Sequence, residues 1–125
     1  MFFKKSNRAQ DTIETLIGAD TRIDGNIHFS GGLRVDGTVL GAVTEPNDKS
    51  CTLILSEHGR IEGGVTAARM VINGSVTGPV RASQFIELQT KAHIVGDVHY
   101  NSLEIHTGAV VEGNLVYLGD VQGDS

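Results

Sequence analysis

Six times this chain repeats one five-residue phrase: a β-branched residue, any residue, glycine, any residue, an aliphatic. The copies run Ile23–Ile27, Val39–Val43, Ile61–Val65, Val76–Val80, Ile94–Val98 and Val111–Leu115. Their central glycines, from Gly25 to Gly113, are separated by 16, 22, 15, 18 and 17 residues. A period of that length is too short for a solenoid of helical pairs. It suits one coil of a β-solenoid, in which each coil hides its apolar side only by stacking on the next.

The residues between phrases support this reading. From Ile94, apolar or small residues alternate through Gly96, Val98 and Tyr100, pause at a corner, and resume at Leu103 and Ile105. A second corner at Thr107-Gly108 leads through Ala109 to Val111, where the next coil starts. Alternation with a period of two marks half-buried strand. Leu53, Leu55 and Ile61 match Leu103, Ile105 and Val111, and so do Ile86, Leu88 and Ile94. Leu33 and Val35, and Met70 and Ile72, precede Val39 and Val76 in the same way. No stretch keeps a helical i, i+3, i+4, i+7 apolar pattern for three turns, and recurrent glycine would cost a helix about 1 kcal/mol per residue. The pattern predicts an all-β, single-domain parallel β-helix of about six coils over residues 13–118. Six coils give a rod roughly 29 Å long. Residues 44–51, with Pro46, Asn47 and Asp48, read as a loop budding from a corner. Residues 1–12 and the acidic stretch 119–125 are expected to be disordered tails.

Composition narrows the function. A net charge of −5 argues against nucleic acid as a partner. The single cysteine, Cys51, excludes an internal disulfide and suits a reducing cytoplasm; it reads as a small neutral residue. No apolar run approaches the ~18 residues of a membrane span, and the N-terminus lacks the apolar core of a signal peptide. There is no P-loop, dinucleotide fingerprint, Cys-x-x-Cys or His-Glu-x-x-His. Gly74–Gly78 has the outline of a nucleophile elbow but carries Val76 where the nucleophile belongs. His28 and His99 fall at equivalent outward places. A cation or acid–base site between coils would draw on such histidines, but exposed surface histidine is the simpler reading. Asp24, Asp36, Glu62 and Glu112, each preceding a glycine, are read as solvated charge that prevents sideways association. No catalytic residue, metal centre, cofactor or nucleotide is expected.

Two regions carry the functional expectations. The first is the pair of coil ends. Monomeric solenoids cover their ends with a polar cap, and no cap is read here. The first coil begins with Ile13, Leu16, Ile17 and Ile23; the last ends with Val111, Leu115, Val116, Tyr117 and Leu118. Bare apolar coils at both ends invite strand addition between copies, and contacts that do not close on themselves give a filament. The polymer interface is therefore assigned to Leu16, Ile17, Ile23, Val111, Leu115, Val116, Tyr117 and Leu118. The second region is the tip Met1, Phe2, Phe3, Lys4 and Lys5. Apolar residues beside a basic cluster form an interfacial membrane signal, weak in one copy and strong in an array.

These features resemble the bactofilin family of bacterial cytoskeletal proteins. The carriers are the repeated Ile/Val-x-Gly-x-Val phrases, Ile23-Asp-Gly-Asn-Ile27, Gly31-Gly-Leu-Arg-Val-Asp-Gly37 and the tip Met1–Lys5, over Leu16 to Leu118. The resemblance implies a right-handed β-helix of triangular section and nucleotide-independent polymerisation. It also implies a tip on the inner face of the cytoplasmic membrane, and a scaffold role in cell shape with cell-wall synthesis or remodelling proteins as clients. Neither expected tail carries a proline-rich stretch. One rival is a hexapeptide-repeat acyltransferase, a left-handed β-helix. Ile17, Ile23, Phe29 and Val35 keep its six-residue step before the register breaks, and His58 or His93 would be its catalytic candidate. Another is an exported adhesin or ice-binding rod, which would need a Thr-x-Thr ladder and an export signal; neither is read here.

Overall fold

The computed structural model describes residues 13–45 and 51–119. The tip Met1–Lys5, both expected tails apart from Gly119, and the middle of the 44–51 loop lie outside them. The described residues form sixteen strands and no helix, and every strand pairing is parallel.

The pairings sort the strands into three faces of a six-coil solenoid. The first face holds β1 (Thr15–Ile17), β4 (Gly32–Val35), β7 (Thr52–Leu55), the second halves of β9 (Val65–Ile72) and β11 (Val80–Leu88), and β14 (Leu103–Ile105). The second holds β2 (Arg22–Asp24), β5 (Thr38–Leu40), β8 (Arg60–Glu62), β10 (Ser75–Thr77), β12 (His93–Val95) and β15 (Val110–Glu112). The third holds β3 (Ile27–His28), β6 (Val43–Thr44), the first halves of β9 and β11, β13 (Val98–Tyr100) and β16 (Leu115–Tyr117).

The sequence phrases are the rungs of this register. Ile23, Val39, Ile61, Val76, Ile94 and Val111 stack directly on one another, coil by coil. Ile27, Val43, Val65, Val80, Val98 and Leu115 form the matching column on the third face. On the first face Leu33, Leu53, Met70, Ile86 and Leu103 align, as do Val35, Leu55, Ile72, Leu88 and Ile105. These columns point inward and form the core, which in the middle coils is fully buried. β9 and β11 differ from the expected corner between third and first faces: each runs on as one strand of 8 or 9 residues. The bend there is carried by a register shift between Ala82 and Phe85.

The outward positions carry charge. Arg22 and Asp24, Arg34 and Asp36, and Arg60 and Glu62 pair along their own strands at 2.9–3.2 Å. Exposed pairs of this kind stabilise little. Asp36 is held below the ordinary aspartate range, first of all by the Ser56 hydroxyl; burial opposes this, and Arg34 adds to the lowering. Cys51 is buried and its Sγ accepts the Ala68 N–H at 3.3 Å, as fits a small core residue.

The corner glycines sit where backbone rests on backbone. At Gly96 a Cβ would lie 2.3 Å from the Gly78 carbonyl oxygen of the coil before, and φ is +144°. Gly25, in the first coil, has a similar φ of +139° but nothing within 4 Å of the Cβ position. The two sites therefore separate backbone conformation from close approach. Gly25→Ala should cost only the strain of its φ, about 1–3 kcal/mol. Gly96→Ala adds a collision that must push two coils apart and should cost about 3–5 kcal/mol. Urea midpoints of dilute, unassembled protein test this; equal losses at the two sites would mean that corner contact does not hold the coils.

Candidate assembly surfaces at the two ends

Position in the stack decides which core-register side chains are covered. Leu88 and Val98 are fully buried, whereas Ile105 and Leu115, one coil further on in the same columns, are each 46% exposed. Tyr117, stacked under Tyr100 with ring centres 5.8 Å apart, is 60% exposed. Val111, beneath the buried Ile94, is half-buried. These side chains point inward and are bare only because no coil follows among the described residues. At the other end, Ile17, Ile23, Ile27, Phe29 and Leu33 line an open hollow of about 530 Å³. Its floor is Leu33, fully buried in the second coil.

The backbone is bare in the same sense. Asn26 Oδ1 accepts the Ala42 N–H at 2.9 Å, and Asp97 Oδ1 accepts the Asn114 N–H at 3.0 Å, so these corner residues bond the following coil. Asn114 occupies the equivalent corner of the last coil, with no coil beyond it among the described residues. A further parallel coil would meet an unpaired ladder and an apolar floor together.

The structure divides the sequence-predicted end residues into two groups. Ile17, Ile23, Val111, Leu115 and Tyr117 belong to inward columns; Leu115 and Tyr117 are exposed and Ile23 and Val111 half-buried at the ends, whereas Ile17, though in the first coil, is only 5% exposed. Leu16 pairs with the outward Arg34, and Val116 with the outward His99, so both lie on the sides of the rod, 59% and 36% exposed. Leu118 is half-buried and its N–H donates to the Tyr100 carbonyl at 2.6 Å. Sequence reading missed Ile105 and the hollow residues Ile27 and Phe29, although the columns of Leu88 and Val43 would have found the first two.

The outward histidines are spread along the solenoid rather than gathered in one place. His28 and His99 share one column, as expected, but with three coils between them. His58 lies on the corner after β7 beside Glu57, 3.4 Å away. His93 is two coils further on, where its Nε2 meets Glu112 at 2.6 Å.

Comparison with known proteins agrees with the geometry. A family model described as "Bactofilin: Polymer-forming cytoskeletal" matches residues 15–116. The chain belongs to the bactofilin family. Among its curated relatives, bactofilin BacO of Myxococcus xanthus (strain DK1622) is 33% identical over 101 residues, covering 81% of this chain and 77% of the relative. Bactofilin BacP of the same strain is 29% identical over 119 residues, covering 95% of this chain and 48% of the relative. The chain thus spans about half of BacP's length. No solved structure matches. The matched span runs from the first strand to the last, so this bactofilin's family signature is its solenoid. The family is a polymer-forming cytoskeletal one, which supports self-association of this chain. No helix among the described residues is long and apolar enough to cross a membrane.

Proposed function

We propose that this bactofilin assembles end to end into nucleotide-independent filaments that lie on the inner face of the cytoplasmic membrane and help set cell shape or localise cell-wall proteins. The observation that carries the first part is the exposure of Ile105, Leu115 and Tyr117 in columns that are buried wherever another coil follows. Covering such a side chain recovers part of the ~1.5–3 kcal/mol that full burial gives. Several per end, together with a continued hydrogen-bond ladder, offset the cost of association. The polymer contacts are the inward end residues Ile17, Ile23, Val111, Leu115 and Tyr117, with Leu16, Val116 and Leu118 at their rim. Membrane attachment rests on Phe2 and Phe3 beside Lys4 and Lys5. Each inserted Phe adds at most ~1.5–3 kcal/mol and each Lys about 1 kcal/mol near an anionic leaflet. A single tip is a weak anchor, and a filament bearing many tips is a firm one.

Two experiments address the two parts. Leu115→Arg places a charge in the end surface from a residue of the last coil. Sedimentation should show the parent chain in fast, nucleotide-independent polymers and the variant as a folded monomer; polymers that survive the substitution would rule out end stacking. For the tip, the full chain should pellet with anionic vesicles, and a form lacking Phe2 and Phe3 should remain largely in the supernatant while still polymerising. Equal pelleting of both would remove the tip from the membrane reading.

A further inference from the structure

One group of ligand-type side chains stands apart from both ends and from the tip. Glu87 and Glu104 are stacked on the first face, one coil apart. His106 follows β14 in the same coil as Glu104. Its Nε2 lies 2.8 Å from Glu87 Oε2 and 3.5 Å from Glu104 Oε2. One donor atom from each of the three residues falls within 4.8 Å of the others.

Two details separate this group from ordinary surface charge. The His106 Nε2 atom is shielded from solvent, yet it makes no well-aligned hydrogen bond despite the nearby carboxylates. The nitrogen is near both acids and directed squarely at neither. Gln89 Nε2 also donates to Glu87 Oε2 at 3.3 Å, fixing that carboxylate from outside in the way that bonded outer partners orient metal ligands. Two stacked carboxylates repel one another unless a cation lies between them.

We propose that Glu87, Glu104 and His106 bind a divalent transition-metal ion, zinc in preference to calcium or magnesium. One imidazole nitrogen and two carboxylate oxygens are ligands that zinc accepts at ~2.0–2.2 Å. Calcium and magnesium favour all-oxygen shells with more ligands. Tetrahedral bonds of that length place ligand atoms roughly 3.3–3.6 Å apart. The His106–Glu104 distance already fits, and the His106–Glu87 distance must open by about half an ångström, within reach of a glutamate side-chain rotation. Water completes the shell. The ion ties the fifth coil, through Glu87, to the sixth, through Glu104 and His106. The sixth coil, like the first, has one neighbour only among the described residues, which leaves it prone to fray. This site does not depend on the assembly reading. The rival is a protonated His106 that bridges both carboxylates without metal.

The test uses the metal-stripped full chain, Zn2+ titration calorimetry, and Co2+ as a spectroscopic probe. One Zn2+ per chain is expected, with Co2+ giving visible d–d bands that Zn2+ abolishes. His106→Ala and Glu104→Gln should each weaken Zn2+ binding by at least ~10-fold, whereas His93→Ala, at a separate His–Glu contact, should not. Circular dichroism checks folding, and Glu104→Gln carries the comparison if His106→Ala unfolds. Absence of stoichiometric Zn2+ uptake, or uptake unchanged in both variants, would overturn the site and favour the protonated histidine.

Discussion

Coils can stack at strand spacing only if their corners let one backbone rest on another. A Cβ at Gly41, Gly63, Gly96 or Gly113 would lie 2.1–2.3 Å from a backbone atom of the preceding coil's corner. Side chains there would prop the coils open, stretch the hydrogen-bond ladders on all three faces and open the aliphatic core. The glycine at the centre of every phrase after the first is thus a condition of the fold. The flanking Ile, Val and Leu residues supply the burial, but only once the corners permit contact.

A structure built this way has no natural end. Each middle coil is completed by two neighbours, through inward columns and through corner bonds such as Asn26 to Ala42 and Asp97 to Asn114. The first and last coils have one neighbour each among the described residues. Their exposure follows from position in the stack, since the residue types are those of the buried coils. For a polymer-forming family this is an economical design: the bonds that fold the chain are of the same kind as those that would extend it. Charge on the sides, as in the Arg–Asp and Arg–Glu pairs, discourages lateral association of the rods.

Most of the fold was legible because a solenoid converts sequence period directly into spatial register. The columns from Ile23 to Val111 and from Leu33 to Leu103 follow from alignment of the phrases alone. Legibility failed where geometry departs from the period. The corner between third and first faces has no Gly or Pro signal within β9 and β11, because extended backbone bends there through a bulge. Leu16 and Val116 are apolar and terminal, so they read as end-surface residues, yet strand alternation turns both to the side. The Glu87, Glu104 and His106 cluster was invisible because its members lie 17 and 19 residues apart. Their meeting depends on the length of the coil that joins them. The tip Met1–Lys5 was read from its own residues and lies outside the described structure.

X-ray fibre diffraction from aligned filaments is the most direct measurement of end-to-end stacking. Strand separation of about 4.8 Å must then lie along the filament, giving a meridional reflection at that spacing. An axial repeat near the ~29 Å rod length, or a multiple of it, should accompany the reflection. A strand-spacing reflection on the equator, across the filament axis, would show that the rods associate side by side and would contradict assembly through the coil ends.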